Sequence, residues 1–103
     1  MRKIVDGKMY DTAKAQKIVT WSAGYYRSDF RYCEETLYKT PRGRFFLYGE
    51  GGAYSPYANQ YGDTLGAGEA IIPLSDQAAN EWLEERDEAD LILKHFADKV
   101  EEA

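Results

Sequence analysis

The chain changes its hydrophobic period several times. "KIVDGKMY" alternates briefly around Asp6-Gly7, a dipeptide whose two residues both tolerate positive φ, so two short strands at about 3–5 and 8–10 joined by a tight turn are predicted. In "TAKAQKIVTWSA" the positions Ala15, Ile18, Val19 and Ser22 follow helical spacing. Asp11 stands where it could cap such a helix and Gly24 where it could end it. Next, Tyr25, Tyr26, Phe30 and Tyr32 interleave with Arg27, Asp29 and Arg31, which suits a loop leading into an extended strand.

"ETLYKTPRGRFFLYGEGG" predicts a hairpin: Pro41 presets φ at the first turn position and Gly43 can take the left-handed one. On its second strand Phe45 and Leu47 point one way and Phe46 and Tyr48 the other. A strand apolar on both faces belongs in the middle of a sheet, covered on each side. Phe45 and Leu47 are expected to meet the helices together with Trp82 and Leu83. The expected cover for the other face is the long glycine- and tyrosine-rich loop 51–68.

"EAIIPLS" predicts a last strand, at an edge because Pro73 lacks a donor. Ser75 then caps a C-terminal helix over 76–101, in which "ERDEAD", near 86–90, marks a bend or a break. The expectation is a single α+β domain over 1–103. It has one small antiparallel sheet of about four to five short strands, packed with an N-terminal helix and a long C-terminal helix.

Charge adds to this picture. The formal net charge of −5 conceals a segregation: residues 1–48 hold ten Lys/Arg and five Asp/Glu, whereas residues 49–103 hold three and thirteen. Two readings stand. The halves are solvated faces that attract each other within the fold, or the acidic helix, with Glu81, Glu84, Glu85 and Glu88, competes for a basic groove on a nucleic-acid-binding partner. Direct contact with nucleic acid is not expected from an acidic chain, because phosphate contacts need cations. No apolar run approaches the roughly 20 residues of a membrane span, and "MRKIVDGKMY" lacks the apolar core of a signal peptide. With a single cysteine, Cys33, an internal disulfide is excluded and a cytoplasmic location is the expectation.

Catalytic patterns are weak. His95 is the sole histidine and lies far along the chain from Cys33. Glu50, Asp63 and Glu69 show no calcium-loop pattern. "GEGG" and "GAGE" match neither the dinucleotide fingerprint nor the phosphate loop. No catalytic residue, metal or cofactor is therefore assigned. The tyrosines are the stronger signal, since eight of nine lie between residues 25 and 61. They form either a second core under the loop or a binding surface in which Tyr25, Tyr26, Tyr54 and Tyr57 act as anchors with Arg27 and Arg31 nearby.

Three stretches, "YDTAKAQKI", "FRYCEETLYKTPRGRFFLYGEGGAYSPYA" and "AIIPLSDQAANEWLEE", resemble a family of small accessory proteins carried on conjugative elements, prophages and plasmids of gut bacteria. The likeness covers roughly residues 3–86, and the hairpin block is its most specific part. It implies an anti-defence role, including anti-CRISPR inhibition, exerted by binding a host defence protein such as a Cas effector or nuclease. A non-enzymatic inhibitor is thus the expected function. The alternative is a small-molecule or nucleotide-binding module that uses the Gly/Tyr loop as a lid.

Overall fold

The computed structural model describes residues 1–24 and 29–103. It opens with the expected hairpin: β1 (Arg2–Val5) and β2 (Lys8–Asp11) pair antiparallel around Asp6 and Gly7, with φ of 51° and 74°. Asp11 does not start a helix. Its Oδ1 accepts from the Ala13 N–H at 2.9 Å and its carbonyl accepts from Lys14 and Ala15, which makes one tight turn and no more.

The next element is β3 (Gln16–Ala23), so a strand stands where the N-terminal helix was expected, and the fold differs in that respect from the sequence reading. Two causes combine. Ile18, Val19, Thr20 and Trp21 are β-branched or aromatic, crowded in a helix and well suited to a pleated surface. In addition, the pairing of β3 with β4 (Cys33–Lys39) shifts register between Lys17 and Val19. Such a bulge turns neighbouring side chains from strict alternation, and Ile18 and Val19 both pack, with Trp21, against the same core. Two adjacent apolar residues on one side imitate helical spacing. Gly24 does adopt positive φ, at 98°, but it ends a strand.

The main sheet is antiparallel with strand order β3-β4-β5-β8, where β5 is Phe45–Gly51 and β8 is Gly68–Leu74. Pro73 lies on an outer strand, as its missing donor requires. The β4–β5 turn uses Gly43 at φ 85°, whose N–H donates to the Thr40 carbonyl at 2.9 Å. The expectation of one sheet is also corrected, because the described residues form three: the other two are the two-stranded β1–β2 and a hairpin of β6 (Asn59–Tyr61) with β7 (Thr64–Gly66) inside the 51–68 segment, each closed by its own tight turn.

The long C-terminal helix is two. Helix α1 (Asp76–Glu85) starts at Ser75, whose Oγ accepts from the Ala78 N–H at 3.0 Å, and α2 (Ala89–Phe96) runs into a 3₁₀ turn at Ala97–Lys99. Between them Glu88 N–H donates to Leu83 O and Asp87 N–H to Glu84 O, with Asp87 at φ 55°. This is a Schellman stop with an aspartate in the place where glycine is usual. The break falls within the charged stretch that marks it in the sequence.

Both helices cover one face of the sheet. Leu37, Phe45 and Leu47 pack there with Ala79, Trp82, Leu83, Ile92 and Phe96, the facing expected for Phe45 and Leu47. The opposite face is covered differently from expectation. Phe46 and Ile71 are buried beneath Tyr10 of the β1–β2 hairpin, with Val5, Tyr38 and Tyr48 around them, and loop 51–68 plays no part in that cluster. Tyr38 stacks on Phe46 and Tyr10 meets its edge, at centroid distances of 5.2 and 5.6 Å.

Candidate functional site

Aromatic and charged side chains gather at the end of the β4–β5 hairpin that lies away from its turn, on both faces of the sheet. On the helix face Glu35 sits opposite Gly49 and beside Trp21 in the strand register. Gly49 leaves a slot that the Tyr57 ring fills: a Cβ at that glycine would lie 1.9 Å from Tyr57 Cζ. Tyr57 is therefore interior, 8% exposed, and its hydroxyl donates to Glu35 Oε2. Trp82 Nε1 and Arg86 Nη2 donate to Glu35 Oε1 at 3.0 and 3.1 Å.

The Arg86 guanidinium lies between two indole rings, 4.3 Å from the Trp21 centroid and 4.2 Å from that of Trp82. The Arg86 and Glu35 side chains are 14% and 15% exposed. Desolvation, then the hydrogen bond to Glu35 and its charge, push the Tyr57 phenol pKa well above its usual value. Burial and the nearby Glu35 also raise the Cys33 thiol. This cluster fastens α1 and the 52–57 segment to the sheet. It has the composition of a binding site but is already filled by its own chain.

On the second face, Glu34, Glu50 and Glu69 stand side by side in register across β4, β5 and β8. Like charges directly opposite each other repel, and phenols offset this. Tyr48 donates to Glu69 and, at 3.3 Å, to Glu50, and Tyr32 donates to Glu34 at 2.7 Å. The bond to Glu69, with burial and the charge of Glu50, holds the Tyr48 phenol far above its ordinary pKa. Beside this row lies an open cavity of about 530 Å³ walled by Tyr32, Glu50, Gly52, Asn59, Tyr61 and Glu69. Two carboxylates in the wall disfavour a nucleotide phosphate there. Among the described residues no group of His, Cys, Asp and Glu is arranged to hold a metal ion.

Gly52 connects this cavity to an exposed surface. A Cβ on it would sit 2.6 Å from the Phe30 carbonyl oxygen, so the two backbones touch. Gly52 N–H donates to Tyr32 O and Tyr54 N–H to Phe30 O, at 3.0 and 2.8 Å. The chain before β4 and the chain after β5 thereby extend the hairpin ladder. That pairing holds the Phe30 and Tyr54 rings edge to face at 5.8 Å while leaving them 64% and 68% exposed. Arg31 is beside them, with its side chain in water and its Nε 3.6 Å from Asp29 Oδ1.

Of the residues expected to bind, Tyr54 is exposed on this surface, and Arg31 follows Phe30 in the chain with its side chain exposed. Tyr57 belongs to the interior instead, because Gly49 opposite it provides the slot. Tyr25, Tyr26 and Arg27 lie outside the described residues. Glu81, Glu84 and Glu85 are exposed on α1, whereas Glu88 is half-buried in the interhelical turn. The three exposed glutamates are engaged locally, with Gln77, Asn80 and Arg86 respectively. Phe30 was noted among the interleaved aromatics but not as an anchor, although an aromatic one residue past the turn-former Asp29 was a usable sign. Glu35, Trp21 and Arg86 carried no local sign, since only the folded register unites them. Cys33 and His95 are not joined: Cys33 pairs with Gly51, whereas His95 rests on Phe45 at the opposite end of the hairpin.

No protein-family model, curated protein or solved structure matches the chain.

Proposed function

We propose that the chain is a non-enzymatic binding protein that docks on a basic, nucleic-acid-handling protein, as an anti-defence inhibitor of the anti-CRISPR kind would. The observation that carries this reading is the Phe30–Tyr54 pair. Two large aromatic side chains, mostly in water, rest edge to face on backbones hydrogen-bonded to each other, so the backbone part of their ordering cost is met before any partner arrives. Aromatic residues with a neighbouring arginine are the side chains that dominate interface energetics. Glu81, Glu84 and Glu85 supply acid on an exposed helix face, which steers a basic partner and raises the association rate more than the final affinity. The resemblance to accessory proteins of mobile elements supports the inhibitor reading by context.

The test is affinity capture from a bacterial lysate, with mass-spectrometric identification, using the native chain and Tyr54→Ala side by side. A nuclease or Cas subunit held by the native chain and lost from the variant is the expected result. Affinity for the purified partner should fall by about 2 kcal/mol in the variant, with its thermal melt unchanged. Recovery of the same proteins by both chains, or of chaperones alone, would overturn the reading.

A further inference from the structure

Opposite the aromatic end, the β4–β5 hairpin turns at Thr40–Arg44, and the molecule is basic there. Two depressions of about 510 and 430 Å³ flank this turn and share Thr40, Pro41 and Arg42. Lys14, Lys39 and Arg42 line the first; Lys8, Arg42 and Arg44 line the second. Lys8, Lys14, Arg42 and Arg44 are exposed and Lys39 is half-buried with its Nζ 5.4 Å from the Phe45 centroid. Among the described residues none of the five is paired with a carboxylate. The nearby Asp11 has its side chain engaged by the Ala13 amide.

We propose that this end of the molecule is a docking surface for the phosphodiester backbone of nucleic acid. The chain's net acidity does not oppose it: thirteen of the eighteen Asp/Glu lie in residues 49–103, distant charge is screened over about 8 Å at physiological salt, and Asp6, exposed in the β1–β2 turn, and Asp11 are outnumbered by the five cations. Three features favour phosphates over other anionic partners. The cations lie on both sides of the Thr40–Arg44 turn, so they can follow a backbone rather than grip one carboxylate. The turn itself, with Pro41, Arg42 and Arg44, carries no large apolar side chain for insertion into a membrane, and the second depression adds one exposed apolar side chain, Met9, among Lys8, Arg42 and Arg44. The first depression is polar, with Gln16, Thr40 and Gly43 among its walls, and offers an acidic peptide no apolar anchor. The surface does not depend on the protein partner proposed above and uses the other end of the hairpin.

The experiment is fluorescence anisotropy with the purified full chain and two labelled probes of mixed sequence, a DNA duplex of about 20 base pairs and an RNA strand of about 20 nucleotides. With five phosphate contacts the logarithm of the association constant should fall against that of salt with a slope of about −4, a loss of roughly a few hundredfold between about 50 and 200 mM. Lys14→Gln with Arg42→Gln and Arg44→Gln should reduce the slope to about −2. All three side chains are exposed, and an unchanged melt will show that the variant folds. Preference for the duplex or for the strand identifies the source of the phosphates. Polyglutamate and anionic lipid vesicles serve as competitors. No binding of either probe at about 50 mM salt, an unchanged slope in the variant, or stronger binding of polyglutamate or vesicles would each overturn the proposal.

Discussion

Two arginines in aromatic company have opposite circumstances. Arg86 is enclosed between Trp21 and Trp82 and paired with Glu35, whereas Arg31 stands in water beside the exposed Phe30 and Tyr54. Both regions have the mixture of arginine, aromatic ring and carboxylate that marks interface hot spots. The difference lies in who supplies the counter-charge and the desolvation. Around Arg86 the chain provides both, and the result is internal cohesion. Around Arg31 and Tyr54 the side chains stay exposed, and the chain offers Arg31 only Asp29, at 3.6 Å. Composition therefore cannot separate a finished contact from an open one; burial can.

The largest expected effect comes from removing one side of the enclosed pair. Arg86→Ala leaves Glu35 with Tyr57 and Trp82 but without its cation, and should destabilise the fold by about 3–5 kcal/mol in denaturant melts. Arg31→Ala should change stability by less than about 0.5 kcal/mol. Equal effects from the two would break the contrast.

A smaller effect separates the phenols. Tyr57→Phe removes a donor to a buried carboxylate and should cost about 1.5 kcal/mol. Phenolate absorbance adds a second readout. An unfolded tyrosine ionises near pH 10, whereas the folded chain holds the Tyr57 and Tyr48 protons beyond that. Above about pH 10 the unfolded state then binds fewer protons than the native one, so stability falls as pH rises. Below that range these two groups contribute no slope. Tyr57→Phe should reduce the alkaline loss, and a variant with the native pH profile would place Tyr57 outside the enclosed cluster.

The smallest expected change is a gain. Asp87 holds the left-handed position that ends α1 one residue after Arg86, and Asp87→Gly should stabilise by about 0.5–1 kcal/mol by relieving that backbone. A loss instead would mean that the aspartate side chain helps to aim Arg86 into its slot.

Local signals in the sequence were legible. Asp6-Gly7, Pro41 with Gly43, Ser75 and the charged break after Glu85 each act within a few residues, and each appears in the structure at its expected place. The opposed facing of Phe45 and Phe46 was legible for the same reason, since a pleat alternates strictly. The β3 segment was not, because its bulge depends on a strand that comes more than ten residues later. Nor was the cover over Phe46, where the β1–β2 hairpin rather than the tyrosine loop folds across. Of the candidate site, Tyr54 could be singled out from its glycine-rich surroundings. The fate of Tyr57 depended on Gly49, a contact between strand and loop that no spacing rule encodes.

The bulge at Lys17–Val19 also affects how copies of the chain meet. β3 is an outer strand of the main sheet, and a straight outer strand offers its free amides and carbonyls as a template for another chain. Here the two-residue repeat is interrupted partway along, so an incoming strand cannot keep one register over the full length. On the other outer strand Pro73 has no amide hydrogen to give. The irregularity that packs Ile18 beside Val19 thus also guards the sheet against growing edge to edge into an aggregate.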